Sequence, residues 1–561
     1  MNNQYKKKPE QAATTNSPSF LMQTNLGFTP SLFLTACFFA IIAFGLFHHE
    51  MWRDELQAWL LARDSNSLAH LFSNLRYDGH PGLWHTLLFF VTRFTHNPAF
   101  TQVLHAVLAT GFGFVFIRYA EIKTLYKIMF LLGYLPLYEY SVVSRCYALS
   151  LFLIFLFCAL YKKRESRYLL IGVCLAFLAN SNVYGAIMAI GLSGILFLDF
   201  FAMQQSASRK WLQFIGGLLI AAIGILFAVY QIFPKSGNSF PVDYPNGLLD
   251  STRWLSSLSH IFTSYLYVPS TEDLHFWNTS YYFENKVIID DSLWVWLEDH
   301  HEYLMGWLYL PIFLVLLSTI LFLRKKLILL LYLVLTFTLV AFSYYTNLSF
   351  MRYSGFLWIS FIVCYWLSMY YPTNEYKNGL LNKLKALGAK IEKPYLMILF
   401  SVNIIGSIIA YQNDYENDFT TSKIAADYLK ENKLDSLPYI GSVDYVISPI
   451  AAYLNKKIYY PEMRTEGSFC IWSSQRRSAI DKSDFTYAAD SMIAKGVSKI
   501  VLIISTPFYY SSAQEQNKLV VDSRFSDHCH LHLEKIIASG IVNDESYAIY
   551  TLTKDELPIA Q

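Results

Sequence analysis

Charge is scarce in this chain. Charged residues are 15% of its 561, where soluble domains carry roughly 25%, and mean hydropathy is +0.30; together these exclude an ordinary soluble enzyme. Neither sign dominates. With histidine neutral, 44 basic and 42 acidic residues leave a net charge of +2. No basic excess points to nucleic acid, and no acidic excess points to a disordered solvating tail. Cysteine is also sparse, and Cys37, Cys158, Cys174 and Cys364 sit inside apolar runs as small hydrophobes. A disulfide scaffold is excluded. Internal repeats are not evident, and the KDEL at 554–557 is followed by Pro558, so it is no C-terminal retention signal.

What is abundant is apolar surface: 54% of residues are hydrophobic and 17% aromatic. Roughly 20 apolar residues cross a bilayer core, and runs of that order recur along the first three quarters of the chain. Spans are expected at 30–48, 99–117, 124–138, 146–161, 168–184, 186–203, 211–233, 304–323, 326–345, 353–371 and 394–411, the third and fourth being short. Cytoplasmic loops hold the excess of Lys and Arg, which orients them. Lys6, Lys7 and Lys8 place the N-terminus inside. Counting onward, the inner loops receive Arg118, Lys123 and Lys127, then Lys162 to Arg167, then Arg209 and Lys210, then Arg324 to Lys326, then Lys377 to Lys393. The alternation holds only if 81–95, PGLWHTLLFFVTRFT, does not cross; that segment is expected to be an interfacial helix. The first span is too polar and too far from the start for a cleaved signal peptide.

The expected fold is therefore a polytopic α-helical membrane protein of about 11 transmembrane helices, with the interfacial helix in its first outer loop. A cytoplasmic tail covers 1–29, the membrane domain covers 30–412 with outer loops 49–98 and 234–303, and an extracytoplasmic domain covers 413–561. In this last part a helical pattern at 420–432 precedes the short runs LPYIG, KKIYYP, SKIVLIIS and SYAIYTL, which indicates a small α/β domain.

Three places carry chemistry. Asp54 and Glu55 lie just past the outer end of the first span. Asp54 suits the cap of a helix beginning at Glu55, and it equally suits a general base acting on an acceptor delivered from outside. Asp78, Gly79, His80 and Pro81 make a turn into the interfacial helix. Between two apolar spans, YEYSVVSRCYAL holds Glu139, Arg145 and Tyr147, and NLSFMRYSGFLW opens another span with Arg352 and Tyr353. Arg145 and Arg352 are isolated cations placed at one depth on the outer side. A guanidinium suits a phosphate because its planar fork donates two parallel charge-assisted hydrogen bonds.

The order of these pieces resembles the C-type membrane glycosyltransferases, and most closely their protein O-mannosyltransferase and aminoarabinose-transferase branch. The residues that carry the resemblance are Asp54-Glu55 after the first span, Gly79-His80-Pro81 leading into a tryptophan-bearing helix, Tyr140-Ser141 with Arg145 and Tyr147, and Arg352 with Gly355. The likeness covers roughly residues 30–360. It implies a transferase using a polyprenyl-phosphate-linked sugar, with Asp54 as catalytic base and Glu55 assisting acceptor or metal placement. It also implies Arg145 and Arg352 at the donor phosphate, with His80, Glu139, Tyr147 and Tyr353 around the substrate. Relatives often have Arg-His where this chain has Arg352-Tyr353, so no histidine role carries over there. Some relatives need a divalent metal and others do not, so the resemblance leaves the metal open; if one is used, Asp54 and Glu55 are its ligands. The acceptor, a lipid, glycan or protein hydroxyl, is open, as is the sugar. A single base opposite the leaving phosphate implies inversion, unlike the carboxyl pair of glycoside hydrolysis. The expected place is a bacterial inner membrane, with the site on the extracytoplasmic side among membrane lipids.

Other features carry less. His528, Cys529, His530 and His532 suggest a metal cluster, but strand alternation puts His530 and His532 on one face and Cys529 on the other. Cys470 and Cys529 are disulfide candidates in an oxidising compartment. In loop 234–303, Trp254, His260, Trp277, Asp290, Asp291, Trp294 and Trp296 suit an interfacial belt or sugar stacking. Asn278-Thr279-Ser280 and Asn347-Leu348-Ser349 match glycosylation acceptors. The rival class is a multi-span transporter or lipid flippase, which places its charges near the midplane of two similar halves.

Overall fold

The computed structural model describes residues 19–202, 210–239, 245, 247, 250–269, 308–347, 350–509 and 518–555. Lys6 to Lys8, Arg209, Trp277, Asn278 to Ser280, Asp290, Asp291, Trp294, Trp296, Leu348, Ser349 and Pro558 lie outside them.

The first part of the chain is helical, most of its helices being apolar: α1 Phe28–His48, α2 Arg53–Arg63, α3 Leu68–Asn74, α4 Leu83–Thr92, α5 Ala99–Tyr119, α6 Thr124–Leu131, α7 Tyr147–Tyr161, α8 Tyr168–Ala179, α9 Val183–Ala202, α10 Trp211–Ile232, α11 Ser251–Tyr265, α12 Leu310–Phe322, α13 Lys326–Thr346, α14 Met351–Ser368 and α15 Gly379–Glu416. Among the described residues, six helices are long and apolar enough to cross a membrane: α1, α5, α9, α10, α13 and α15. Their outward surfaces are apolar, with Phe33 67%, Val107 65%, Leu212 88% and Leu226 68% exposed. In water such surface is costly; against lipid it is not.

Four segments depart from the sequence reading. The expected span 124–138 is not one helix: α6 ends at Leu131, and Leu135–Glu139 forms a single π-helical turn. Pro136 has no N–H to give the preceding turn, and the wider turn closes with the Tyr140 N–H on the Leu135 carbonyl at 2.9 Å. The 168–184 span is interrupted between α8 and α9, where the Asn182 side chain accepts the Gly185 N–H at 2.7 Å. The last expected span, 394–411, is the C-terminal part of a 38-residue helix that begins at Gly379 and contains Pro394. Asn378 starts it by accepting the Leu380 N–H at 2.8 Å. Finally, 251–265 is no open loop. Helix α11 turns Leu255, Ile261, Phe262 and Tyr265 inward against α12, α13 and α14. Trp254 stacks on Tyr344 with ring centres 4.4 Å apart, and His260 Nδ1 lies 2.8 Å from Ser343 Oγ. These two side chains are packing elements.

Helix α4, inside the segment read as non-crossing, has 10 residues, about 15 Å and half of a bilayer core. It packs on α2.

After α15 come α16 Ser422–Glu431, α17 Asp444–Leu454 and α18 Lys482–Ala494, with strands β1 Tyr439–Ser442, β2 Ile458–Tyr460, β3 Thr465–Gly467, β4 Lys499–Ile504, β5 Asp522–Arg524, β6 Cys529–Ile537 and β7 Tyr547–Lys554. They form one mixed sheet, ordered β3-β2-β1-β4-β7-β6-β5. β1 pairs parallel with β2 and β4; the other pairs are antiparallel. Strand β4 is buried on both faces: Val501 and Ile503 meet α16 and α17, while Ile500 and Leu502 face the α18 side. That explains its unbroken apolar run. The α/β character expected from the sequence is present.

Candidate functional site

The short stretch His49 to Glu55 links α1 to α2 and organises the side chains at that end of the helical part. Helix α2 starts at Arg53, with Trp52 at its cap, so Asp54 is not the cap that its residue type suggested. Glu55 takes that role, reaching back to accept the Trp52 N–H at 3.1 Å. This leaves the Asp54 carboxylate free to point elsewhere.

Asp54 Oδ2 accepts from Arg145 Nη1 at 2.9 Å and from Arg352 Nη2 at 3.1 Å. The two isolated arginines therefore do converge on an anion, and in this structure the anion is the chain's own carboxylate. Arg145 comes from the loop before α7, Arg352 from the first turn of α14. Asp54 itself remains 29% exposed at its side chain. Burial opposes its charge, but Arg145 and Arg352 outweigh that and hold its carboxyl below the ordinary value.

Glu55 is placed quite differently. It is fully buried, and its oxygens accept from the Trp52 N–H, from His49 Nε2 at 3.0 Å and from the Ser144 N–H. With both oxygens engaged inside the protein, it positions its neighbours rather than facing an acceptor or a metal. One carboxylate thus ties His49 and Trp52, between α1 and α2, to Ser144, the residue before Arg145. Behind it, His49 Nδ1 lies 2.9 Å from Asp414 Oδ2, which also accepts from the Tyr138 hydroxyl at 3.0 Å. An imidazole between two carboxylates donates through both nitrogens only when protonated. Burial would push its pKa down, but Asp414 and Glu55 raise it to about 10.

Next to this cluster lies a cavity of about 220 Å³, lined by Asp78, His80, Tyr147, Asn182, Tyr184 and Tyr353 among others. Tyr184 and Tyr353 stack with ring centres 5.2 Å apart. The guanidinium carbon of Arg145 lies 5.6 Å from the Tyr147 ring centre and that of Arg352 lies 5.0 Å from the Tyr353 ring centre, so each cation adjoins the cavity through its aromatic neighbour. His80 is held by Asp78, through its carbonyl at 2.9 Å and its carboxylate at 3.2 Å. Gly79 makes this turn with φ +72°, a left-handed conformation that glycine adopts without strain. Glu139 does not line the cavity: it is 2% exposed and accepts from the Tyr134 hydroxyl at 2.8 Å.

No family model, no curated protein and no solved structure matches this chain.

Of the residues singled out from sequence, Asp54, Arg145 and Arg352 meet directly, and His80, Tyr147 and Tyr353 share the adjoining cavity; Glu55 and Glu139 lie behind its wall. Sequence reasoning missed His49, Tyr184 and Asp414 as members of this region, and read Asp78 only as part of a turn. His49 and Asp414 carried one signal, an ionisable group at the end of an apolar run. Among the described residues, no group of three or more His, Cys, Asp or Glu side chains has the arrangement of a metal centre. His530 and His532 both reach Asp522 on the exposed face of β6, while Cys529 is buried on the other. Cys470 and Cys529 are both free thiols, so the candidate disulfide is absent.

Proposed function

We propose that this chain is a membrane glycosyltransferase that moves a sugar from a polyprenyl-phosphate donor to an acceptor hydroxyl. In this reading the chain crosses the membrane eleven times, the site and the C-terminal α/β domain lie on the extracytoplasmic side, and the membrane is a bacterial inner membrane. The observation that carries the reading is the convergence of Arg145 and Arg352 on one oxygen of Asp54 beside an aromatic-walled cavity. Two nearly buried guanidinium groups 2.9 and 3.1 Å from a single carboxylate oxygen are preorganised for an oxyanion. A donor phosphate replaces Asp54 as their partner. Such a leaving group needs charge stabilisation more than protonation, and the arginines supply it as the bond to the anomeric carbon breaks. The tyrosine-lined cavity offers faces to a sugar ring. Asp54 is the counter-ion that the two arginines hold within the chain. With its pKa depressed by both arginines it is a weak proton acceptor until phosphate draws them away.

The test is mass spectrometry of lipid-linked sugars and envelope glycans from cells carrying the native chain, Arg145→Ala or Arg352→Ala at equal membrane abundance. The native chain should add a sugar and each variant should lower transfer by about 10²–10³-fold, the usual loss on removing one oxyanion partner. Identical profiles from all three would sink the transferase reading and favour a transporter.

A further inference from the structure

The cavity contains an acid–base pair that the phosphate chemistry does not use. His80 Nδ1 is 2.9 Å from the Asp78 carbonyl oxygen and 3.2 Å from its carboxylate Oδ2. A carbonyl only accepts, so Nδ1 carries the ring proton and the lone pair of the neutral imidazole is on Nε2. That nitrogen has no hydrogen-bond partner among the described residues, and His80 lines the cavity. Asp78 is anchored in turn: its Oδ2 is 3.6 Å from His85 Nε2, on the α4 side. Tyr184, 5% exposed, forms part of the wall of the same cavity, stacked on Tyr353 with ring centres 5.2 Å apart. A carboxylate and a carbonyl that hold Nδ1, a free imidazole nitrogen and an adjoining cavity large enough for a hydroxylated acceptor are the parts of a general-base site.

We infer that His80, oriented by Asp78, is the general base that accepts the proton of the acceptor hydroxyl. This rests on the transferase reading and gives the proton step a residue other than Asp54. As the acceptor oxygen forms its bond to the anomeric carbon, its proton passes to His80 Nε2. The carbon–oxygen bond to the phosphate breaks, and its electron pair leaves on the phosphate oxygen facing Arg145 and Arg352. The imidazolium, stabilised by Asp78, then loses its proton to water. Base and phosphate-binding cations are thereby separate groups, so the proton acceptor does not depend on the arginines first leaving Asp54.

Membrane vesicles from cells expressing the chain contain their own lipid-linked sugars and acceptors, and release of polyprenyl phosphate from them is read by mass spectrometry. His80→Ala and His80→Gln, at equal abundance and with native melting temperature, should each slow release by about 10²-fold or more. Added imidazole should restore part of the rate to His80→Ala, where it has room, and none to His80→Gln, whose side chain fills the place. Asp78→Asn should be slow and not rescued. Release by His80→Gln within about tenfold of native, or a folded His80→Ala indifferent to imidazole, overturns the assignment. If native vesicles release no more than vesicles without the chain, the transferase reading itself fails and this inference falls with it.

Discussion

Asp54 serves two guanidinium groups through a single oxygen, and this sharing sets its response to mutation and to acid. Asp54→Asn leaves Arg145 and Arg352, with side chains 10% and 6% exposed, facing each other without a counter-charge. Because Asp54 is partly exposed, screening reduces the cost to about 1–3 kcal/mol, readable as a lower melting temperature in detergent. A phosphate anion should stabilise this variant more than the native chain. The Asp54 pKa is lowered in the fold, so its stabilisation is present above the unfolded carboxyl value and is lost as pH falls through the lower folded value. His49 runs the other way. Its pKa is raised to about 10, so its contribution is complete below the unfolded value near 6.5 and disappears as pH rises through about 10. A melting series from neutral to alkaline pH should show this loss in the native chain, and His49→Gln should flatten that part of the curve. An unchanged curve would mean that His49 is not the ionised bridge between Glu55 and Asp414.

At the scale of elements, glycines bring α8 and α10 close together. A Cβ on Gly172 of α8 would stand 2.2 Å from the Gly217 carbonyl oxygen of α10, and one on Gly217 would stand 2.3 Å from the Tyr168 carbonyl oxygen. Backbone atoms cannot yield as a side-chain tip does, so Gly172→Ala should cost about 1–3 kcal/mol by prising α8 from α10. Gly194 of α9 is the control. Its Cβ would meet nothing within 4 Å, so Gly194→Ala should be neutral or gain about 0.5–1 kcal/mol through helix propensity. Equal melting temperatures for the two variants would refute the close-packing argument. The π-helical turn Leu135–Glu139 is the other element whose shape matters. It sends Tyr138 to Asp414 and Glu139 to Tyr134, so the wall behind Arg145 is built from a turn that an unbroken helix would not provide.

At the scale of the molecule, the C-terminal domain is docked on α2, the helix that carries Asp54. Gln57 donates to the Cys470 carbonyl at 2.8 Å and accepts the Cys470 N–H at 3.1 Å. Arg63 donates to the Ala451 carbonyl at 3.1 Å, and Arg53 pairs with Asp544 at 2.7 Å. The backbone of Ser239 donates to the Trp472 carbonyl at 3.0 Å, beside Asn238, which lines the cavity. The domain is thus part of the frame that fixes the site. Cys470 reports on the docking, being 4% exposed with burial pushing its thiol pKa up. Gln57→Ala should speed maleimide labelling of Cys470 and lower sugar transfer together. Faster labelling with native transfer would show that the site does not depend on this contact.

The sequence by itself determined the class of this protein. Apolar runs of spanning length, sparse charge and a terminal alternation of short strands need no tertiary information, because burial and backbone hydrogen bonding act over a few residues at a time. Asp54, Arg145 and Arg352 were also legible, each as an ionisable side chain out of keeping with its surroundings. Only the tertiary structure decided what these residues do for one another. Glu55 and Asp54 are adjacent in sequence, yet one is sealed beneath His49 and Ser144 while the other meets two arginines at the cavity's edge. Asp414 reaches His49 across 365 positions, and Tyr184 lines a cavity formed with residues from distant helices. Periodicity and composition report what each segment must bury. Which buried group faces which is set by how the helices pack, where contacts close over separations that no local pattern encodes.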